Sequence, residues 1–345
     1  MKAIGYLDSL NIDQQNSLID IDIPVPTPAA RDLLVKIEAI SVNPVDTKIR
    51  ANVAASGDEH KVLGWDAVGE VIETGEQTQF YKKGDKVWYA GDLTRPGTNA
   101  EYHLVDERIV GHKPASVSDA EAAALPLTAI TAWELLFDRL ALQPLTEEKT
   151  KTPASTENRI LIIGAAGGVG SILVQLAAQL TDALVIGTAS RPESQQWVKE
   201  LGADHVIDHR KPLSQELKRI GIENVTHVAS LNATDQHYDE IVESLAPQGK
   251  LALIDDPSLP LDILKLKMKS ISLHWEFMYT RSMFNTHDIE KQRDLLNNVA
   301  DLIDAGRLKT TLGEHYGRIN AENLKRAHSN LETGKAIGKI VLEVF

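Results

Sequence analysis

Apolar and polar positions change in short runs over the first 120 residues. Runs at 1–7, 33–40, 68–73, 86–88 and 102–105 have the length and alternation of strands. Gly64, Gly69, Gly75, Gly84 and Gly97 punctuate them as turns do. This part of the chain is predicted to be β-rich and irregular.

After Pro126 the pattern changes. Apolar runs at 159–163, 183–188, 205–207, 226–231, 250–254 and 270–275 read as strands. Helical spacing fills 169–180, 193–201, 213–220 and 235–246 between them. Strand and helix in alternation predict an α/β unit, a doubly wound parallel sheet with helices on both faces. The polar stretch 146–157 reads as an exposed loop before it. Lys265, Lys267 and Lys269 alternate as they would on the wet face of a strand. A helix is expected at 291–308 and a returning strand at 336–344. The division that follows is a β-rich domain from 1–126 and 278–345, with an α/β domain from 127–277 between its two parts.

The sharpest motif lies at the first strand of the α/β unit. The run Ile160 to Ile163 ends at Gly164, and Gly164, Ala166, Gly167, Gly168, Val169 and Gly170 lead into an apolar helical face formed by Ile172, Leu173, Leu176, Ala177 and Leu180. Glycines at a strand-to-helix turn let the backbone fold tightly and let a pyrophosphate approach the main-chain N–H groups. The spacing differs from G-x-G-x-x-G, and a turn that only packs helix on strand is the other reading. An NAD site carries an acid about 20 residues later for the ribose hydroxyls. Here the window reads Ala189, Ser190, Arg191, with no acid. Ser190 is a donor and Arg191 can pair with a 2′-phosphate, so NADPH is the expected cofactor. An exposed loop arginine is the alternative.

Charge and composition narrow the partners. The formal net charge is −13, which disfavours nucleic acid and anionic membrane. No apolar run reaches the ~20 residues of a membrane span. No signal-like segment precedes the first strand, so the expected location is cytoplasmic. The chain has no cysteine, which removes disulfides, thiolate metal ligands and cysteine nucleophiles.

Over nearly its whole length the chain resembles the medium-chain dehydrogenase/reductases, and within them the zinc-free quinone oxidoreductases. The resemblance rests on Ser41 to Lys48, Gly64 to Val71, Ala124 to Trp133, the glycine turn, Leu201 to His205 and Gly334 to Ile340. The segment His274 to Phe284 is similar to a subgroup often labelled zinc-type alcohol dehydrogenase-like. The resemblance implies a Rossmann cofactor domain and a GroES-like irregular barrel. It also implies a homodimer, built through the apolar run 270–275 at the sheet edge. Zinc relatives read Gly-His-Glu where this chain reads Gly64, Trp65, Asp66, and their catalytic cysteines fall at Asn43 and near Leu127. His205 and His209, with Asp204 and Asp208, are the other metal candidates and read as surface residues at a strand end. No metal site is expected.

Without a Lewis acid, alcohol oxidation loses its means of stabilising an alkoxide. Hydride addition to an enone or quinone delocalises the charge onto oxygen and needs only positioning and a donor. The resemblance implies that Asn43 lies near the nicotinamide as an amide donor, and that Thr131 packs on the ring. Leu231 and Asn232, where the 226–231 run ends, complete the cofactor set. Asp46 either orients a neighbour or ties down its loop by ion pairing. Trp65 is a pocket wall or plain core packing. Tyr279 or water supplies the proton. The function expected is NADPH-dependent, zinc-independent hydride transfer to a small quinone or α,β-unsaturated carbonyl. The alternatives are a zinc alcohol dehydrogenase and a non-enzymatic NADPH-binding sensor or structural protein. Elemental analysis of purified protein is expected to find less than about one-tenth of a zinc per chain. One tightly bound zinc per chain would contradict that.

Overall fold

The structure, a computed structural model, describes residues 1–145 and 157–345. Of the loop expected at 146–157, all but Glu157 lies outside the described residues. The chain divides into two compact units, Met1–Ile130 with Tyr279–Phe345, and Thr131–Met278.

The first unit begins with β1 (Lys2–Tyr6), β2 (Ile19–Asp22) and β3 (Asp32–Val42). A helix, α1 (Pro44–Asn52), interrupts the strands, which resume with β4 (Lys61–Val62), β5 (Ala67–Thr74), β6 (Lys86–Tyr89), β7 (Tyr102–Asp106) and β8 (Val110–His112). Then come α2 (Asp119–Ala123) and α3 (Pro126–Trp133). The second unit holds β9 (Arg159–Ile163), α4 (Gly168–Leu180), β10 (Leu184–Thr188), α5 (Pro192–Glu200), β11 (His205–Ile207), α6 (Leu213–Arg219), β12 (Val225–Ser230), α7 (Thr234–Ser244), β13 (Leu245–Leu253) and β14 (Ser272–Trp275). The chain returns to the first unit through α8 (Thr280–Met283), α9 (Lys291–Asp304), β15 (Leu312–His315), α10 (Ala321–Glu332) and β16 (Lys339–Glu343).

The second unit is a parallel six-stranded sheet in the order β11-β10-β9-β12-β13-β14. It is the doubly wound arrangement that the strand–helix rhythm predicts. Leu161, Ile163, Ile186, Val228, Leu251 and Leu253 form one cluster with Leu213 and Leu217 of α6 and Tyr238 and Ile241 of α7. On the other helix pair, Trp197 of α5 donates its Nε1–H to Ser171 Oγ of α4 at 2.8 Å. The alternating lysines are a correction: Ile263–Lys269 is a 3₁₀ helix, not a strand. Its Asp262 cap accepts from Leu264 N–H, and Lys269 Nζ donates to the carbonyls of Val242, Glu243 and Leu245. Ser270 then adopts φ +52°, so the edge strand begins only at Ser272.

In the first unit β3 is the organising strand. One edge pairs with β5 along residues 33–40. The other edge pairs with β7 over residues 32–36 and with β16 over residues 39–42. Most of its residues are buried rather than alternating, the pattern of a strand covered on both faces. The hand-off sets Val42 opposite Ile340 and brings Lys339 to the end of β3.

Lys339 is 3% exposed, and its Nζ lies 2.9 Å from Asp66 Oδ2, which is fully buried. A buried pair of charges contributes little net stability, but removing one partner strands the other. Lys339→Ala is therefore expected to lower unfolding free energy by about 3–5 kcal/mol in urea titrations. A loss below about 1 kcal/mol, the range of exposed pairs, would show that the pair is not buried as described.

Candidate functional site

Each unit carries one half of the expected chemistry. In the second unit, β9 runs into the glycine turn as the sequence predicts. Gly164 has φ +82°, a region that favours glycine. A Cβ there would meet Asn232 Oδ1 at 2.7 Å, and a Cβ on Gly170 would meet the Gly164 carbonyl oxygen at 2.3 Å. The backbone thus doubles back on itself, and only glycines leave room for it. Gly164 N–H is fixed by Thr188 Oγ1 at 3.1 Å. Gly167 is the N-cap of α4 and brings no side-chain cap. The half-buried Ala166, Gly168 and Val169 continue the turn. This narrow, uncapped cradle fits a dinucleotide pyrophosphate, and when bound the nicotinamide supplies hydride chemistry.

At the end of β10, Ala189 is buried and donates its N–H to the Ile207 carbonyl at 3.0 Å. Ser190 is half-buried, and the exposed Arg191 is the N-cap of α5. Leu231 and Asn232 follow β12 on the far side of the glycine turn, with Leu231 N–H bonded to the Ile163 carbonyl. These residues gather around the carboxyl ends of β9, β10 and β12, where doubly wound sheets bind ligands. Thr131 is a buried residue of α3. Among the described residues, no three His, Asp or Glu side chains converge as metal ligands.

In the first unit a buried polar cluster stands where β3 runs into α1. Asn43 is the N-cap of α1 and Pro44 its first residue, a start that needs no N–H at that position. Asp66 accepts four hydrogen bonds: Ser41 Oγ at 2.7 Å, Asn43 Nδ2 at 2.8 Å, Leu127 N at 2.8 Å and Lys339 Nζ at 2.9 Å. Lys339 also donates to Asn43 Oδ1. The Asn43 amide is thereby held in one orientation, its nitrogen towards the carboxylate and its oxygen towards the ammonium.

Asp46 ties down its loop, but as a helix cap rather than by an ion pair. Its Oδ2 accepts Asn43 N–H at 2.7 Å. Its Oδ1 is buried without a hydrogen-bond partner. Burial pushes the carboxyl up to about 7, and Asp66 adds to the rise. The Asn43 N–H, the Lys339 ammonium and the nearby Gly64 amide oppose it. Trp65 is buried, donates Nε1–H to the Asp92 carbonyl at 3.1 Å, and meets Tyr279 edge to face with ring centroids 6.3 Å apart. Tyr279 precedes α8; burial, and then the charges of Asp46, Asp66 and Asp92, hold its phenol well above its ordinary value. Gly64, at φ +107°, packs so closely on Asn99 and Thr98 that a Cβ would lie 2.5 Å from Asn99 Oδ1, which fixes Trp65 and Asp66 in place.

Three members of this cluster carry no role in the sequence reading: Ser41, Asp66 as an acceptor, and Lys339. The one available signal was a lone lysine inside an apolar strand, in the run Gly338, Lys339, Ile340, Val341, Leu342.

The cofactor turn and this cluster can be set beside known proteins. The GroES-like domain of alcohol dehydrogenases matches residues 29–115, and the zinc-binding dehydrogenase domain matches residues 201–342. A zinc-type alcohol dehydrogenase-like protein of Staphylococcus epidermidis is 36% identical over the full length of both chains. The 2-methylene-furan-3-one reductase of Solanum lycopersicum is 28% identical over 99% of this chain and 79% of its own. Among solved structures, a candidate zinc-dependent alcohol dehydrogenase of Rhizobium etli is 52% identical with a TM-score of 0.94, covering 100% of this chain and 98% of that one. The quinone oxidoreductase of Coxiella burnetii is 26% identical at a TM-score of 0.80, covering 100% and 99%. A mycobacterial protein complexed with NADPH is 28% identical at a TM-score of 0.81, covering 99% and 100%. The two-part fold, the glycine turn and these full-length likenesses agree: the chain is an oxidoreductase-type member of the medium-chain dehydrogenase/reductase family.

Proposed function

We propose that the protein is an NADPH-dependent reductase that transfers hydride, without zinc, to a quinone or an α,β-unsaturated carbonyl. The observation that carries the reading is the pairing of two features. The second strand of the cofactor sheet ends in Ala189, Ser190 and Arg191, with no acid for a ribose hydroxyl. The positions of the family's zinc ligands hold Asn43, Trp65 and a residue near Leu127, and Asn43 is held in a lysine–aspartate network in place of a thiolate site. The named activities of the tomato and Coxiella relatives, an enone reductase and a quinone oxidoreductase, support the acceptor class.

The chain's own residues have assignable tasks. The glycine turn brings backbone N–H groups to the pyrophosphate. Arg191 and Ser190 take the 2′-phosphate in charge-assisted hydrogen bonds. Thr131 packs at the nicotinamide, and Asn43 offers its remaining amide hydrogen. Trp65 and Tyr279 give an apolar wall that excludes water near the acceptor. A small carbonyl or quinone is the partner in this reading, in the cytoplasm, with no nucleic acid or membrane.

The protein is also proposed to act as a homodimer. β14 is the edge of the six-stranded sheet, with Trp275 53% exposed on it. Leu259, Ile263, Leu264 and Met268 are exposed in the segment that leads to it. Such an edge favours pairing with a second copy.

Three outcomes are expected. Purified protein should oxidise NADPH with quinones or enones in a panel of acceptors. Chelator-sensitive oxidation of alcohols would favour the zinc enzyme, and tight binding without turnover would favour a sensor. Arg191→Ala should weaken NADPH binding about ten- to a hundred-fold and leave NADH binding nearly unchanged. Equal weakening of both would make Arg191 structural, and a wild type that prefers NADH would overturn the cofactor assignment. Light scattering should give twice the 37.9 kDa chain mass at micromolar concentration, and a monomer would contradict the dimer.

A further inference from the structure

The cofactor end of the second unit carries two histidines outside the contacts assigned so far. His209 lies in the turn after β11, and His237 lies in the first turn of α7, after β12. Their rings meet edge to face, with centroids 6.1 Å apart and planes at 72°. Both side chains are half-buried, and their ring nitrogens have no hydrogen-bond partner among the described residues. Each imidazole therefore keeps its hydrogen-bonding capacity for a ligand.

The sheet sets this pair beside the glycine turn and Ser190. In the strand order, β10 and β9 stand between β11 and β12. Rings that meet from the exits of β11 and β12 therefore span the carboxyl ends of β10 and β9. Gly164 leaves β9 there, and Ser190 follows β10. Gly187 pairs with Val206 and Thr188 with Ile207, and Ala189 N–H extends the pairing to the Ile207 carbonyl. The same register carried two residues on sets His209 level with Ser190. On the α7 side, Asn232 lies against Gly164. All of these residues belong to the second unit.

The charges around the pair are engaged elsewhere. Asp208 and Arg210 flank His209 and pair with each other at 2.7 Å. Asp235, on α7, accepts from Ser258. On α6, Glu216 is paired with Lys211 and Arg219, and Glu240 of α7 accepts from Ser214. Arg191 and Glu193 are the charged residues at the start of α5. Burial holds both imidazoles below their ordinary value, with Asp208 and Asp235 opposing the drop. Arg210 adds to it at His209, and His209 adds to it at His237. Without a ligand the pair is neutral at pH 7.

We propose that His209 and His237 bind the 2′-phosphate of NADPH together with Ser190, and that the pair takes up a proton from solvent as it does so. The proposal rests on the NADPH reading above. A phosphate dianion against an imidazole favours the charged ring and strengthens the hydrogen bond to it. The sign follows. The pair is neutral when free and protonated when NADPH is bound, so NADPH affinity rises as pH falls. NADH lacks the phosphate and binds independently of pH in this range. Cofactor preference is then a function of pH.

The test titrates the full-length protein with NADPH and with NADH. From about pH 8 to about pH 6.5, the NADPH dissociation constant should fall about three- to ten-fold, and that for NADH should change by less than about two-fold. Calorimetry at about pH 7 in two buffers of unlike ionisation heat reads the proton in wild type, without substitution. Uptake is expected with NADPH and none with NADH. The phosphate's own proton, with a pKa of about 6, would be released on binding, so the sign separates the two sources. The double variant His209→Asn, His237→Asn keeps polar side chains and should lose both the uptake and the pH dependence, with NADH affinity unchanged. NADPH preference without uptake, equal uptake with NADH, or uptake that persists in the double variant would overturn the proposal and leave the cofactor reading standing. A wild type that binds NADH as tightly as NADPH would overturn the cofactor reading, and the proposal with it.

Discussion

The first unit depends on one buried ion pair, Lys339 with Asp66. Two charges withdrawn from water are tolerated only if their remaining hydrogen-bonding capacity is met. Asp66 meets it by collecting donors from four separate stretches: Ser41 at the end of β3, Asn43 at the start of α1, the Leu127 amide in α3, and Lys339 on β16. The carboxylate is thus the point where the two ends of the chain are joined. Its position fixes the Asn43 amide, and the Asn43 backbone in turn fixes Asp46. The asymmetry of the cluster follows from that order, with four donors gathered on Asp66 and one on Asp46, whose Oδ1 has none.

The same logic accounts for chemistry without thiolates. A bound metal cation would demand three or more ligands around it. Here the ammonium of Lys339 sits among Asn43 and Asp66, and Trp65 fills the volume next to them with an indole. The Lys339 charge is already paired with Asp66, and negative charge that spreads over a conjugated system needs less local stabilisation than charge on one alkoxide. That is the physical reason for assigning an enone or quinone as acceptor. The cofactor half is simpler, since its geometry is set by glycines that nothing larger can replace.

Much of this was legible in the sequence. The strand and helix periods gave the order of the second unit, and the glycines lie at the turn where the spacing puts them. Helix α1 is absent from the sequence reading although its signals are there: Asn43 as a cap, Pro44 at the first position and Asp46 three residues after the cap. The strand-like texture around it masked a nine-residue helix. Alternate lysines satisfy a period of two and so mimic a strand at Ile263–Lys269, whereas the 3₁₀ helix there is tied by Lys269 to the carbonyls of Val242, Glu243 and Leu245. The ion pair was the least accessible feature. Lys339 and Asp66 are 273 residues apart, and only the tertiary pairing of β16 with β3 brings them together.

The central claim is that hydride passes to a conjugated acceptor without help from a metal. The most direct measurement follows the label from NADPH deuterated at nicotinamide C4 into an enone, in protein treated with chelator. The account predicts deuterium at the β-carbon of a saturated ketone, with the carbonyl intact. Deuterium on a carbinol carbon, in a reaction abolished by the chelator and restored by zinc, would contradict it.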